Sequence, residues 1–471
     1  MSQALQLHPD RLFPADSGVR QIARQLYESV KSLPIISPHG HTDASWFAGN
    51  KAFANPAELL IVPDHYLVRM LYSLGIPLES LGVEPSSRPG DKAKPREVWR
   101  QFAGHYDAFL GTPSRMWLDY VFSHVFELSI VLDADSADAY YDRINECLSQ
   151  DAFLPRALFD RFDIELLATT ESPLDSLADH DAIRQSDWAG RVITTYRPDP
   201  VVDPDYEGFV ENLEKLSELT NEDTGSWKAY LSALSNRRAY FKERGATATD
   251  HGHPTALTAD LSPAKCQQLL DKALKRNIAP EESELFRAQM LTEMAAMSID
   301  DGLVMQLHPG SFRNHNENIL REFGRDKGAD IPIRTEFVHA LKPLLDRFAN
   351  STELTLILFT LDESTYSREL APLAGHYPCL KLGPSWWFHD SPEGMRRFRE
   401  MTTETAGFYN TVGFNDDTRA FMSIPARHDV ARRMDSAYLA RLVAEHRLTE
   451  ENAFSVMSDL TYNLAKKAYK L

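Results

Sequence analysis

Leu33-Pro34-Ile35-Ile36-Ser37-Pro38-His39-Gly40-His41-Thr42-Asp43 is a short apolar run that breaks at a proline and then presents two histidines. Read as a strand over residues 35–41, it points side chains at i and i+2 the same way, so His39 and His41 project together from its carboxyl end. Two imidazoles on one face make half a metal site; the competing reading is a hydrogen-bonded pair of core histidines. Spacing alone decides little, because 16 histidines among 471 residues give about 0.5 His-x-His pairs by chance, and His251-Gly252-His253 is a second one. What the rest of the chain places around that strand end therefore matters more.

Residues 18–31, before the strand, carry Val19, Ile22, Leu26 and Val30 at helical spacing, which predicts a helix leading into it. Beyond it, residues 44–162 show mostly helical patterns, at 66–74, 95–110, 114–128, 136–148 and 155–162, and read as one large helical insertion. Short apolar runs then recur at 164–169, 191–196, 246–250, 303–307, 354–359, 379–382 and 409–414, each followed by a polar tip and helical sequence. With 35–41 these make eight candidate strands. Strands alternating with helices imply a parallel sheet, and the number eight favours a closed (β/α)8 barrel of the TIM type, distorted by the insertion after strand 1. The expected division is 1–43 for the leading helix and first strand, 44–162 for the insertion, and 163–471 for the remaining barrel. The proline-rich stretches 86–95 and 198–204 read as loops.

The bulk numbers exclude several classes. Hydrophobic residues at 43% and charged residues at 25% are those of an ordinary globular protein, and no run approaches the ~18 apolar residues of a membrane span. The opening residues have neither a basic n-region nor an apolar h-region, so a cytoplasmic protein is expected. Cys147, Cys266 and Cys379 are far apart, which excludes a Cys-x-x-Cys motif. A formal charge of −18 without a basic block argues against nucleic acid and anionic membrane as partners, yet a few arginines gathered in a pocket can still bind a small anion. Assembly state stays open, a homo-oligomer included.

Chemistry in such barrels collects at the carboxyl ends of the strands. The tips here offer His39 and His41; Thr169-Thr170-Glu171; Tyr196-Arg197-Pro198-Asp199; Asp250-His251-Gly252-His253; His308-Pro309-Gly310 with Arg313-Asn314; Thr360-Leu361-Asp362; Gly383-Pro384-Ser385-Trp386-Trp387-Phe388; and Asn415-Asp416-Asp417-Thr418-Arg419. A scaffold barrel would not need ionisable groups at so many tips, so they read as a catalytic funnel.

The strings around His39 and His41, Tyr196-Arg197-Pro198-Asp199, Leu307-His308-Pro309-Gly310 with Arg313-Asn314, Gly383 to Phe388 and Asp417-Thr418-Arg419, with Asp64-His65-Tyr66 on the insertion, resemble uronate (glucuronate) isomerase, a family of the amidohydrolase superfamily, in family order over essentially the whole chain. The resemblance implies interconversion of D-glucuronate with D-fructuronate and of D-galacturonate with D-tagaturonate. It also implies one divalent metal, zinc being expected, on His39, His41 and Asp417. Asp250 stands where relatives with two metals carry a bridging lysine, and the sixth tip has no histidine, so a second metal loses its ligands. Asp417 is chosen over the adjacent Asp416 because it matches the family's Asp-x-Arg; it could also be a helix cap or a partner of Arg419.

An aldose becomes a ketose by moving a proton from C2 to C1 through a cis-enediol, which needs a base, a proton carrier between two oxygens and oxyanion stabilisation. By resemblance, the metal holds the substrate's C5 hydroxyl, that alkoxide with Asp417 starts the transfer, and Tyr66, Asp417 or both carry protons between O1 and O2. The hexuronate carboxylate needs guanidinium groups; Arg197 and Arg419 are the first candidates, with His65 as a further donor. Arg427 is weaker, since an arginine in such a helical stretch is often solvated. His308 and Arg313 are candidates for sugar hydroxyls, and Trp386 for a pocket wall. His251 and His253 lack a third partner and are not counted as ligands. The rival is a metal-dependent hydrolase of the same superfamily acting on an ester, lactone or amide, which would need a water-derived nucleophile and no carboxylate anchors.

Overall fold

Strands in chain order are β1 (Ile35–Ser37), β2 (Ile164–Glu171), β3 (Arg191–Tyr196), β4 (Ala248–His251), β5 (Val304–Leu307), β6 (Ser311–Phe312), β7 (Ile331–Pro332), β8 (Leu356–Leu358) and β9 (Leu380–Leu382). Seven of them form one curled parallel sheet in the order β1-β2-β3-β4-β5-β8-β9, while β6 and β7 pair as a separate antiparallel ribbon. The computed structural model describes residues 3–88, 90, 93–348 and 350–471, so the loop expected at 86–95 lies partly outside the described residues. Strands β1, β4, β5 and β8 are buried at every position, as expected of parallel strands covered on both faces. The architecture is a distorted (β/α)8 barrel.

Two expectations need correction at the seam where the barrel closes. The first strand stops at Ser37 and does not reach His41, because Pro38 has no N–H for the ladder. The expected eighth strand at 409–414 is reduced to a single parallel bridge, Thr411 to Leu382. Gly413 there has φ +76°, which turns the chain out of extended geometry, and an added Cβ would lie 2.8 Å from the Leu460 carbonyl oxygen. Coil closes the seam instead: His41 N–H donates to the Thr418 carbonyl at 3.0 Å, while on the other side the Thr170 hydroxyl of β2 donates to the Gly40 carbonyl at 2.8 Å. The stretch 198–204 also holds a short helical turn, Asp199–Val202, where a plain loop was expected.

Between β1 and β2 the described chain is helical, including Pro56–Leu60, His65–Ser73, Pro95–Gly104, Pro113–Tyr120, Ala137–Leu148 and Pro155–Arg161. The pattern at 95–110 breaks at Gly104 into a helix and a 3-10 turn, Tyr106–Phe109, because the last turn tightens at His105. Its aromatic core of Trp99, Phe102, Tyr106, Phe109 and Phe122 is continuous with Ile35, Ile164 and Leu167 of the barrel, so the two share packing. The helix Ser17–Val30 is capped by Asp16 and buries Ala23, Leu26 and Val30 against Leu439, Ala440 and Val443 of helix Ile424–Ala444. Each fully buried Leu or Val there contributes about 1.5–3 kcal/mol, which fixes the element that enters β1.

Candidate active site

Every candidate named above lines one cavity of about 520 Å³ at the carboxyl ends of the strands: His39, His41, His65, Tyr66, Arg197, His308, Arg313, Trp386, Asp417, Arg419 and Arg427. The histidine pair follows β1 in coil, and its convergence comes from the seam hydrogen bonds and not from a strand pleat. His39 Nε2 lies 3.5 Å and His41 Nε2 3.2 Å from Asp417 Oδ1. Asp417 sits at φ +38°, a left-handed backbone that Asp tolerates and that turns its carboxylate inward. Asp416 turns away, accepting from His428 Nε2 at 2.9 Å.

These groups fit a divalent cation. Two imidazole nitrogens and a carboxylate oxygen lie within 4.8 Å of one another, a donor set zinc accepts with open positions left over. His308 Nε2 is buried without a hydrogen-bond partner and lies 3.9 Å from Asp417 Oδ2, so it also faces that corner. Burial holds His39 neutral, with a pKa of about 4, as a ligand must be. Burial would raise the Asp417 carboxyl, but His39 and His41 outweigh it and hold it well below the usual carboxylate range. The Gln306 amide, 3.4 Å from His39 Nδ1, orients that ring and is itself held by the Tyr469 hydroxyl at 2.8 Å. A second set, His39, Asp250 and His308, is also close, yet Asp250 is already engaged by His308 Nδ1 at 2.7 Å and Arg197 at 3.1 Å. His251 and His253 belong to neither set; His251 Nε2 meets Thr249 Oγ1 at 3.1 Å.

On the helical insertion, Asp64 caps helix His65–Ser73, accepting from Tyr66 N at 2.8 Å. That cap puts His65 and Tyr66 at the cavity while Leu67, Val68 and Leu71 anchor the helix in the insertion core. Burial pushes the Tyr66 phenol up, so it keeps its proton, and burial lowers His65 to about 3. Trp386 packs against His308 at 4.7 Å between ring centroids. Arg313 pairs with Asp330 at 3.1 Å.

The arginines differ in how free they are. Arg197 is shared between Asp199 at 2.9 Å and Asp250 at 3.1 Å. Arg427 is fully buried and not solvated: it pairs with Asp390, bonds Ser423 Oγ at 3.0 Å and lies 3.6 Å from the Trp117 ring centroid. Helix Ile424–Ala444 is buried nearly all round, so no amphipathic pattern announced this. Arg419, by contrast, is 39% exposed and, among the described residues, makes only a 3.8 Å approach to Asp326. Sequence reasoning missed Asp390, Gln306, Tyr469, Arg325 and Asp326; these residues lie between or outside strand tips, and only the fold brings them to the site.

The glucuronate isomerase family model matches residues 17–469. A uronate isomerase from Phenylobacterium zucineum is 65% identical over 471 residues, covering 100% of this chain and 98% of that protein. The crystal structure of glucuronate isomerase from Caulobacter crescentus superposes with a TM-score of 0.98 at 62% identity, covering 99% of this chain and 98% of that one. The uronate isomerase of Thermotoga maritima keeps the same fold at 25% identity, with a TM-score of 0.92 over 98% of this chain and 99% of that one.

Proposed function

Because the chain belongs to the uronate (glucuronate) isomerase family, it interconverts D-glucuronate and D-fructuronate, and we propose that it does so at one divalent ion, zinc, held by His39, His41 and Asp417. D-galacturonate and D-tagaturonate form the second pair of this reading, and the cytoplasm is its setting; no described helix is long and apolar enough to cross a membrane. The observation that carries the site assignment is the cavity itself, which joins an imidazole–carboxylate corner to a buried phenol and to guanidinium groups. A hydrolase has no use for that combination of proton carrier and carboxylate anchors.

When bound, the ion would polarise a substrate oxygen and make its hydroxyl more acidic. Asp417 Oδ1 faces the imidazoles, while Oδ2, 3.9 Å from His308 Nε2, is the oxygen left to act as proton acceptor in this reading. Tyr66 keeps its proton and stands at the cavity wall, where it can exchange protons with the neighbouring O1 and O2 of a cis-enediol. Arg419 offers the freest guanidinium for the carboxylate, with Arg197 and His65 beside it, and Trp386 walls the pocket. His308 and Arg313 are placed for hydroxyls. The insertion, residues 44–162, is thus the part that supplies the proton carrier.

Incubation with D-glucuronate in deuterated water tests this: ketose should form carrying solvent deuterium at C1, and chelation should abolish turnover until zinc is restored. Absence of ketose would remove the isomerase assignment, and full activity after exhaustive chelation would remove the metal.

A further inference from the structure

Between β6 and β7 the chain makes an excursion, residues 313–330, that leaves the barrel and lies on the helical insertion. Ser86 N–H donates to the Glu322 carbonyl at 2.7 Å, and Gly328 packs so closely that an added Cβ would stand 2.7 Å from Arg69 Cβ and 2.9 Å from the His65 carbonyl oxygen. Three residues in its turn, Gly324, Asp326 and Gly328, have positive φ of 81°, 60° and 77°. This backbone carries Asp326 to the cavity wall, its Oδ2 3.8 Å from Arg419 Nη2, with both side chains partly exposed at 50% and 39%. Partial burial would raise the Asp326 carboxyl, but Arg419, then Arg313 and His65, hold it below the usual range. A carboxylate of the protein thus faces the same cationic wall that a substrate carboxylate must reach.

We propose that Asp326 is a placeholder counter-ion for Arg419, which the carboxylate of an incoming uronate must displace. The proposal rests on Arg419 as the carboxylate anchor. Exchange of one carboxylate for another gains little for an anion with nothing else to offer. A uronate recovers the cost through its hydroxyls and carbonyl, so the device selects against simple anions at the expense of affinity. Its weak, half-exposed geometry suits this role, because an exposed ion pair of that kind is screened by solvent and readily displaced.

Steady-state kinetics on the metal-loaded enzyme test it. Asp326→Asn should lower KM for D-glucuronate about two- to fivefold, leave kcat within about twofold, and tighten competitive inhibition by inorganic phosphate by a similar factor. In an Arg419→Met background, whose KM should rise at least about tenfold, the same change should do nothing. An unchanged or raised KM in Asp326→Asn, with Arg419→Met impaired, would overturn the placeholder alone. A normal KM in Arg419→Met would overturn the anchor and the placeholder together, and an equal Asp326→Asn effect in both backgrounds would show that Asp326 acts elsewhere.

Discussion

At the scale of single residues, the site works by what burial does to each ionisable group. Tyr66 is kept protonated and His39 neutral by the same desolvation, which suits the one to the proposed role of proton carrier and the other to that of ligand. Tyr66→Phe should lower kcat about 10²-fold with a smaller change in KM; unchanged turnover would show that the hydroxyl moves no essential proton. Glu171, at the β2 tip, is raised to about 7 by burial, against which hydrogen bonds from Thr169 and Thr194 work. Its folded pKa lies above its unfolded one, so its contribution to stability is fully present below about 4.5 and is lost as pH rises through about 7. Glu171→Gln should therefore gain stability relative to the wild type between pH 4.5 and 8, by up to about 3 kcal/mol, in urea titrations. A difference that does not change with pH would contradict the buried acid. Residue identities at the strand tips could be read from the sequence because His-x-His, Asp-x-Arg and Trp-Trp are local strings. The partners that decide how each behaves, Asp390 for Arg427 and Gln306 for His39, are distant in the chain and carry no such signal.

Elements were legible where they are apolar and continuous. The seven sheet strands stand out because covered parallel strands are unbroken hydrophobic runs, and the insertion helices because their buried faces repeat with helical period. The seam was not legible, since 409–414 has strand composition but a glycine turned to positive φ, at a spot where the Leu460 carbonyl leaves no room for a Cβ, and neither feature can be read from the local pattern. The β6–β7 ribbon escaped notice because two-residue strands leave no periodicity. The excursion it supports should be sensitive to its own tight turn: Gly328→Ala places a side chain at φ +77° against backbone. About 1–2 kcal/mol of local cost is expected, seen as roughly tenfold faster amide exchange across 313–330 with little change in Tm. Exchange no faster than in the wild type would show that the turn is not held by that contact.

For the molecule as a whole, the proposed ion joins the end of β1 to the segment that follows the last strand, so loading should brace the barrel where it lacks a strand ladder. Zinc at 100 times its Kd should add about 2.7 kcal/mol to unfolding and raise Tm by about 3 °C, and His39→Ala should lose most of that rise. An equal rise in the variant would place the ion elsewhere. The bond from the Thr42 hydroxyl to the Thr418 carbonyl, at 3.5 Å, spans 376 positions of chain. During synthesis at about 5–20 residues per second, the two imidazoles therefore emerge tens of seconds before the aspartate that faces them exists. Any cation captured before that point would be held by the two imidazoles without the aspartate.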